Sequence, residues 1–258
     1  MNSVAIVISS CDAFFDAWRP FAFFFRKFWP DCQFPVHLIT NELQIQSSFI
    51  HAIPVGEDRG WASNMKRALD EIDAARVLYL QEDYFLNAPV RGDQVATEIA
   101  YAIENDVDAF YFRARSQLEE DFQPLTDRFG IVPIASDGRT RCQLSLWKRE
   151  SLLATLREGE SAWEMESRGS ERTGAMKILS YRTQEDAPVS YLMSAIVRGL
   201  WTPEALAMCE EAGIEITPRF RGTYSSNEWL QRWRRARTRG RLRNYFKGRA
   251  TKMPVSLP

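Results

Sequence analysis

The chain has 258 residues, 45% hydrophobic and 26% charged, which is apolar material enough for one large folded body and too much for a disordered chain. Its net charge of -1 conceals an asymmetry: no Asp or Glu follows Glu228, whereas ten Lys and Arg lie between Trp229 and Lys252, so a basic tail follows an acidic body. No apolar run approaches the ~20 residues of a membrane span. The opening MNSVAIVISSCDAF lacks a basic stretch, and Cys11, Cys32, Cys142 and Cys209 form no CxxC pair. A secretory leader, a disulfide framework and a cysteine-zinc site are therefore not expected, and a cytoplasmic protein is.

In chain order, Val4–Ser9 (VAIVIS) is a continuous apolar run, as expected of a strand buried on both faces. Residues 14–29 predict an aromatic-rich helix ended by Pro30, with Phe21, Phe24, Phe25 and Phe28 as its core stripe. Residues 35–40 (PVHLIT) and 49–55 predict strands, 62–72 a helix capped by Ser63 or Asp58, and 76–80 a further strand. This succession is a nucleotide-binding type of α/β half. A helix over 95–104 and strands over 109–113 and 143–147 follow. The Pro- and Gly-bearing stretch 117–141 predicts turns and hairpins. Residues 152–157 and 161–167 are helical in pattern, and 191–201 with a helix over 203–212 completes the body.

The motifs exclude several chemistries. There is no GxGxxG after the first strand and no GxxxxGK[ST], which removes the best evidence for hydride transfer and P-loop chemistry. The two histidines, His37 and His51, adjoin no Ser or Cys nucleophile. What remains is polar and acidic, and it sits where strands stop: Ser9-Ser10-Cys11-Asp12, Thr40-Asn41, the loop Asp58-Arg59-Gly60-Trp61-Ala62-Ser63-Asn64, and Gln81-Glu82-Asp83. Ligands of open α/β sheets bind outside the carboxyl ends of the strands, so these pieces are candidates for one crevice. Each also has a plainer reading. Asp12, Asn41, Asp58 and Asn64 are residues that shape turns, Trp61 suits core packing, and Glu82-Asp83 suits a turn or a helix start. Glu164 and Glu166 in SAWEME form a second acidic cluster. One of them could act as a general base beside Trp163, or Ser161 could cap a helix whose first turn contains Glu164; two residues apart, they diverge on a helix.

The segments WPDC (29–32) with VHLITN (36–41), GWASN (60–64), LQEDYF (80–85), LSLWKR (144–149), SAWEME (161–166) and AIVRGLW (195–201) together resemble bacterial glycosyltransferases of the GT-A fold that build surface polysaccharides and lipopolysaccharides. The resemblance implies one GT-A-like, Rossmann-like nucleotide-binding domain over residues 1–225, followed by a basic helical tail over 226–258. It also implies transfer of a sugar from a nucleotide-sugar to a glycan or lipid-linked acceptor, with inversion. The nucleotide-sugar would meet Ser9, Cys11, Asp12, Asn41, Asp58, Trp61, Asn64 and Glu82. Asp83 would ligate a divalent metal, manganese or magnesium, at a DxD-type position. Glu164 or Glu166 would be the base, and Trp163 and Trp147 would meet the acceptor. The sequence departs from the pattern at Gln81, which replaces the first acid, and in having no histidine after His51. A metal-free variant would rely on tail arginines or on Lys148 and Arg149. In the tail, Trp229 and Trp233 interleave with arginines, and Tyr245 and Phe246 follow. This pattern fits an anionic membrane surface first, a solvated arm next, and nucleic acid least, since the acidic body repels phosphate.

Overall fold

The run Val4–Ser9 is strand β1 in the computed structural model, which describes residues 4–115, 122–216, 220–248 and 254–258. Its alternate residues feed two cores. Ile6 and Ile8 join the layer of helix α1 (Phe15–Phe28), while Ala5 and Val7 join that of α2 (Trp61–Asp70). A strand covered on both faces needs an apolar side chain at nearly every position, which is why the run does not alternate.

The other strands of the main sheet are β2 (Val36–Thr40), β3 (Ile50–Pro54), β4 (Arg76–Gln81), β5 (Ala109–Tyr111), β6 (Gln123–Pro124), β7 (Phe129–Ile131), β8 (Ser145–Lys148) and β9 (Ile178–Tyr181). Among the described residues their order is β3-β2-β1-β4-β8-β5-β9-β7-β6. The first four are mutually parallel, β8 runs antiparallel between β4 and β5, and β9 is parallel to β5. The β1–β4 register pairs Ser9 with Gln81, so both strands stop at one level. That level end positions the site.

Helices α3 (Gly92–Glu104), α4 (Arg149–Thr155), α5 (Ala162–Arg168), α6 (Pro203–Glu211) and α7 (Glu228–Gly248) complete the body. Phe21, Phe24 and Phe25 of α1 are buried as their spacing predicts, with Phe28 packed at the margin. Strand β9 is not expected from the sequence, although Ile178, Leu179 and Tyr181 are completely buried. Part of the predicted hairpin region, 116–121, lies outside the described residues; the rest carries β6 and β7.

The tail is helical, but α7 is docked on the body. Gln231, Thr238 and Leu242 are buried on its inner face. Tyr245 stacks on Phe15 with centroids 5.0 Å apart, and Phe246 meets the same ring edge-on at 5.9 Å. Two of the four aromatics expected at a membrane, Tyr245 and Phe246, therefore serve the fold, because α1 offers them an apolar face. Near the chain's end Val255–Ser256 pairs with Ile45–Gln46, and Leu257 is buried. Among the described residues no helix is long and apolar enough to cross a membrane.

Candidate functional site

Because β1 and β4 end level, the chain leaves the sheet at Ser10-Cys11 and at Glu82-Asp83 side by side, with the Glu82 N–H donating to the Ser9 carbonyl at 3.3 Å. Two cavities open there. One, of about 220 Å³, is lined by Ser9, Cys11, Asp58, Trp61 and Asn64; the other, of about 350 Å³, by Asp83, Gln143, Trp163, Glu166 and Ser194. Both are lined by Phe14, Gln81, Glu82 and Ala162, so they form one continuous cleft at the carboxyl ends of the parallel strands.

Six expected residues lie elsewhere. Asp12 and Asn41 clasp one another: Asp12 Oδ1 accepts from Asn41 N–H at 2.8 Å, its Oδ2 from the N–H groups of Glu42 and Leu43 at 2.9 Å each, and Asn41 Oδ1 from Asp12 N–H at 3.0 Å. They tie the exits of β1 and β2 together and are absent from the cleft lining. Trp147 is 1% exposed, edge-on to Tyr111, with its Nε1–H on Ser145 Oγ at 2.9 Å. Strand alternation turns it into the core and away from any acceptor. Glu164 completes a capping box: its N–H donates to Ser161 Oγ at 3.3 Å, and its Oε2 accepts from Ser161 N–H at 2.9 Å. Those bonds hold its carboxyl below the usual range. Lys148 pairs with Arg76 at the opposite end of β4 and forms ion pairs with Asp106 and Glu150 at 3.1 and 2.9 Å. Arg149 adjoins it, so neither can face the cleft's charge.

The residues that do converge are electrostatically unusual. Burial, and next the neighbouring Asp83, push the Glu82 carboxyl far up. Burial pushes Asp83 up to about 6, against the Ile196 N–H that donates to its Oδ2 at 3.4 Å. Among the described residues two buried acceptors on this wall, Asp83 Oδ1 and Gln143 Oε1, have no hydrogen-bond partner. An unsatisfied buried acceptor is costly unless a ligand or water supplies the donor or cation. Glu166 is half-buried with its Oε1 on the Cys142 N–H at 2.6 Å, and burial raises its carboxyl. Of the two glutamates of SAWEME, it alone lines the cleft, while Trp163 stands 81% exposed at the rim.

The departure at Gln81 has a structural reason. Its Nε2 donates to Tyr79 Oη and to the Cys142 carbonyl, both at 3.0 Å, and a carboxylate has no proton to donate there. Other partners have similar work. Trp61 Nε1–H reaches Tyr79 Oη at 3.2 Å, and Asp58 Oδ1 accepts from Gly60 N–H and Asn64 Nδ2 at 3.0 and 2.8 Å, so these residues shape the loop that they also expose. Burial pushes the Cys11 thiol to about 12, which keeps it protonated.

The roof is the part that sequence reasoning misses. Ile196–Val197 and Leu200–Trp201 form a two-residue hairpin whose central residues, Arg198 and Gly199, have φ of 52° and 77°. Positive φ at both positions is the type I′ signature that matches strand twist. Ser194 has φ 67° and faces the same cavity. The available signal is an Arg-Gly pair between two short apolar runs, weaker than the usual Asn-Gly. Behind the roof, buried Arg221 donates from Nε to Asp16 Oδ1 at 3.0 Å and lies 4.4 Å over the Phe14 ring.

No family model matches the chain, and no curated protein does. Solved structures do. A CMP:2-keto-3-deoxy-manno-octonic acid synthetase complexed with CTP superposes with a TM-score of 0.50 at 11% identity, covering 82% of this chain and 98% of that one. S. aureus TarS residues 1–349 in complex with UDP-GlcNAc gives 0.46 at 10% identity over 74% of this chain, and an active-site mutant of LgtC gives 0.42 at 13% over 90% of this chain and 82% of that one. The chain spans 57% of that TarS fragment's length, less than two thirds. The fold is GT-A-like: a mixed α/β single domain around a large, parallel-rich sheet.

Proposed function

We propose that the chain is a nucleotide-sugar-dependent glycosyltransferase. The observation that carries this is the single cleft in which the β1 exit, the 58–64 loop, the buried pair Glu82-Asp83 and the half-buried Glu166 meet. The cavity bounded by Ser9, Trp61 and Asn64 takes the nucleoside. The sugar and diphosphate lie beside Asp83, and the acceptor enters past Trp163, whose exposed indole offers a stacking face. Glu166 takes the proton from the acceptor hydroxyl as its oxygen bonds to the anomeric carbon. The bond from that carbon to the phosphate oxygen breaks, its electron pair leaving with the nucleoside diphosphate. Attack from the face opposite the leaving group inverts the centre.

Manganese or magnesium fits this wall in a limited sense. Among the described residues no group of three His, Cys, Asp or Glu could hold a metal, so the protein supplies Asp83 and Glu82 and the donor phosphates and water supply the rest. The unpartnered Asp83 Oδ1 is the observation favouring such a cation. When bound, the cation would neutralise charge on the departing diphosphate. A glycan or lipid-linked acceptor of surface-polysaccharide assembly suits the remaining features, because the outer face of α7 exposes Trp229, Trp233, Arg232 and Arg237, as a surface resting on anionic lipid requires.

A screen of nucleotide-sugars for donor hydrolysis and thermal stabilisation, with and without manganese, tests the reading. It should return one donor class whose hydrolysis is lost in Asp83→Asn. CTP with a sugar acid belongs in the same screen as the nucleotidyltransferase alternative, and turnover there would replace the glycosyltransferase reading.

A further inference from the structure

A third cavity, of about 260 Å³, adjoins the 350 Å³ cavity of the cleft, with Ala13 of the β1 exit also in its wall. Arg198 and Gly199 line both it and the 350 Å³ cavity, whereas it has no residue in common with the cavity of Ser9, Trp61 and Asn64. Four of its lining residues are arginines, Arg198, Arg221, Arg235 and Arg239, and none is acidic. Arg221 is spoken for: Asp16 neutralises it, and the Gly199 and Ala13 carbonyls accept from its Nη1 and Nη2. The other three are not neutralised. Arg198 Nη1 meets only the neutral Gln231 Oε1, at 3.2 Å, and neither Arg235 nor Arg239 makes an ion pair among the described residues.

Their placement is costly. Arg235 and Arg239 are one turn apart on the same face of α7, a like-charge spacing that destabilises a helix. The helix is nonetheless pinned in that rotation by buried Gln231, Thr238 and Leu242. Arg198 is delivered by a hairpin turn at φ 52°, in a region that residues other than Gly, Asn and Asp seldom occupy. Three arginines border a hollow large enough for a tetrahedral oxyanion, and no carboxylate lines it; this suits a phosphate, which guanidinium forks bind in a bidentate fashion once they turn to it.

We propose that this arginine cavity is a phosphate subsite for an anionic acceptor, separate from the site of the donor diphosphate. The word acceptor rests on the glycosyltransferase reading; the phosphate site does not. An acceptor source is favoured because the cavity shares Arg198 and Gly199 with the cavity that Glu166 and Trp163 line, where the proposed acceptor enters, and shares no lining residue with that of the nucleoside. The enzyme's substrate class thereby narrows to sugar phosphates, phosphodiester-linked glycans or lipid-phosphate-linked glycans.

The test is calorimetric titration of inorganic phosphate into the full chain, alone and saturated with whichever of UDP, CDP, GDP or ADP binds best. Phosphate should bind both forms equally. Arg235→Gln with Arg239→Gln should weaken it about 10-fold or more, while nucleotide affinity stays within about twofold. Replacing both arginines by Lys, which keeps the charge but loses the forks, should fall between. Because the Gln changes relieve repulsion on α7, misfolding is not the expected confounder, and the nucleotide titration reports it. Phosphate binding indifferent to both arginines overturns the subsite. Displacement of phosphate by the nucleotide assigns the cavity to the donor and overturns the acceptor role. If no nucleotide binds any form, the glycosyltransferase reading falls with the acceptor role, and the titration of the unliganded chain still decides the phosphate site.

Discussion

The heart of the cleft and the arginine cavity beside it acquire their charge by opposite routes. Glu82 and Asp83 stand in the turn that leaves a central strand, buried, and are pushed toward the protonated form with one acceptor oxygen left unpartnered among the described residues. Arg198, Arg235 and Arg239 come from a hairpin turn and a docked surface helix, where Arg198 and Arg239 are exposed and Arg235 is half-buried. The rigid part thus holds groups whose charge state a ligand must change; the peripheral part holds permanent charges that merely await a partner. Chemistry belongs at the first and recognition at the second, since a preorganised, water-poor wall is where electrostatic stabilisation is strongest.

The largest break in that contrast should come from Asp83→Asn, which removes the carboxylate while keeping its shape. Turnover should fall by roughly 1000-fold at constant fold, read by donor consumption beside a circular dichroism spectrum. Activity preserved in a folded variant would move the chemistry elsewhere.

Next in size is the pair on α5. Glu166→Gln should lower kcat about 100-fold or more with little change in donor KM, since the proton acceptor is needed only in the transition state. Glu164→Gln, by contrast, should keep turnover within about twofold, because that side chain serves the Ser161 cap. Reversal of the two results would exchange their roles.

A third effect concerns stability against pH. An unfolded Asp titrates near its ordinary value, whereas folded Asp83 titrates near 6, so the folded state holds this proton more tightly. Its contribution is complete below the unfolded value and is lost as pH rises through about 6. Asp83→Asn cannot ionise. Relative to the variant, the unliganded wild type should therefore lose on the order of 2–3 kcal/mol between about pH 3.5 and 7. Denaturant melts at several pH values measure this. Manganese with the nucleoside diphosphate should stabilise the wild type more than the variant and so narrow the difference, whereas a difference independent of pH would show that Asp83 is not the strained group.

The same contrast explains what was legible beforehand. Strands β1 to β4 announce themselves as apolar runs that stop at polar residues, and the level ends of β1 and β4 follow from parallel pairing of adjacent runs. Ser9, Cys11, Glu82 and Asp83 could thus be placed together from the sequence. Asp12 and Asn41 occupy equally suggestive strand ends, but their mutual clasp is a long-range pairing that no local pattern reveals. Trp147 closes a predicted strand and Trp163 opens a predicted helix, but which face of each is covered depends on long-range packing, as of Tyr111 against Trp147. The ILSY strand is too short and too mixed in polarity to stand out, although the sheet closes around it. The arginine cavity was hardest to see, because α7 carries basic residues on every face and its rotation is set by scattered positions, Gln231, Thr238 and Leu242, of which only the last is apolar.

That rotation also separates the arginines of α7 by task, and the smallest expected effect lies on its outer side. Removing the whole tail would strip Tyr245 and Phe246 from Phe15 and expose the core, so point changes are the cleaner probe. Arg232→Gln with Arg237→Gln alters two exposed cations, one of them 4.6 Å over the Trp233 ring. Each cation near an anionic leaflet is worth about 1 kcal/mol, so binding to phosphatidylserine vesicles should weaken roughly 10- to 30-fold for the pair. Activity on a short soluble acceptor should stay unchanged, because these side chains face away from the cleft. The attraction should also fade as salt rises, since screening acts within a Debye length of about 10 Å at 0.1 M. Equal binding to neutral and anionic vesicles would show that this face does not read membrane charge, and loss of soluble-acceptor activity would place the outer arginines in the same role as the inner ones.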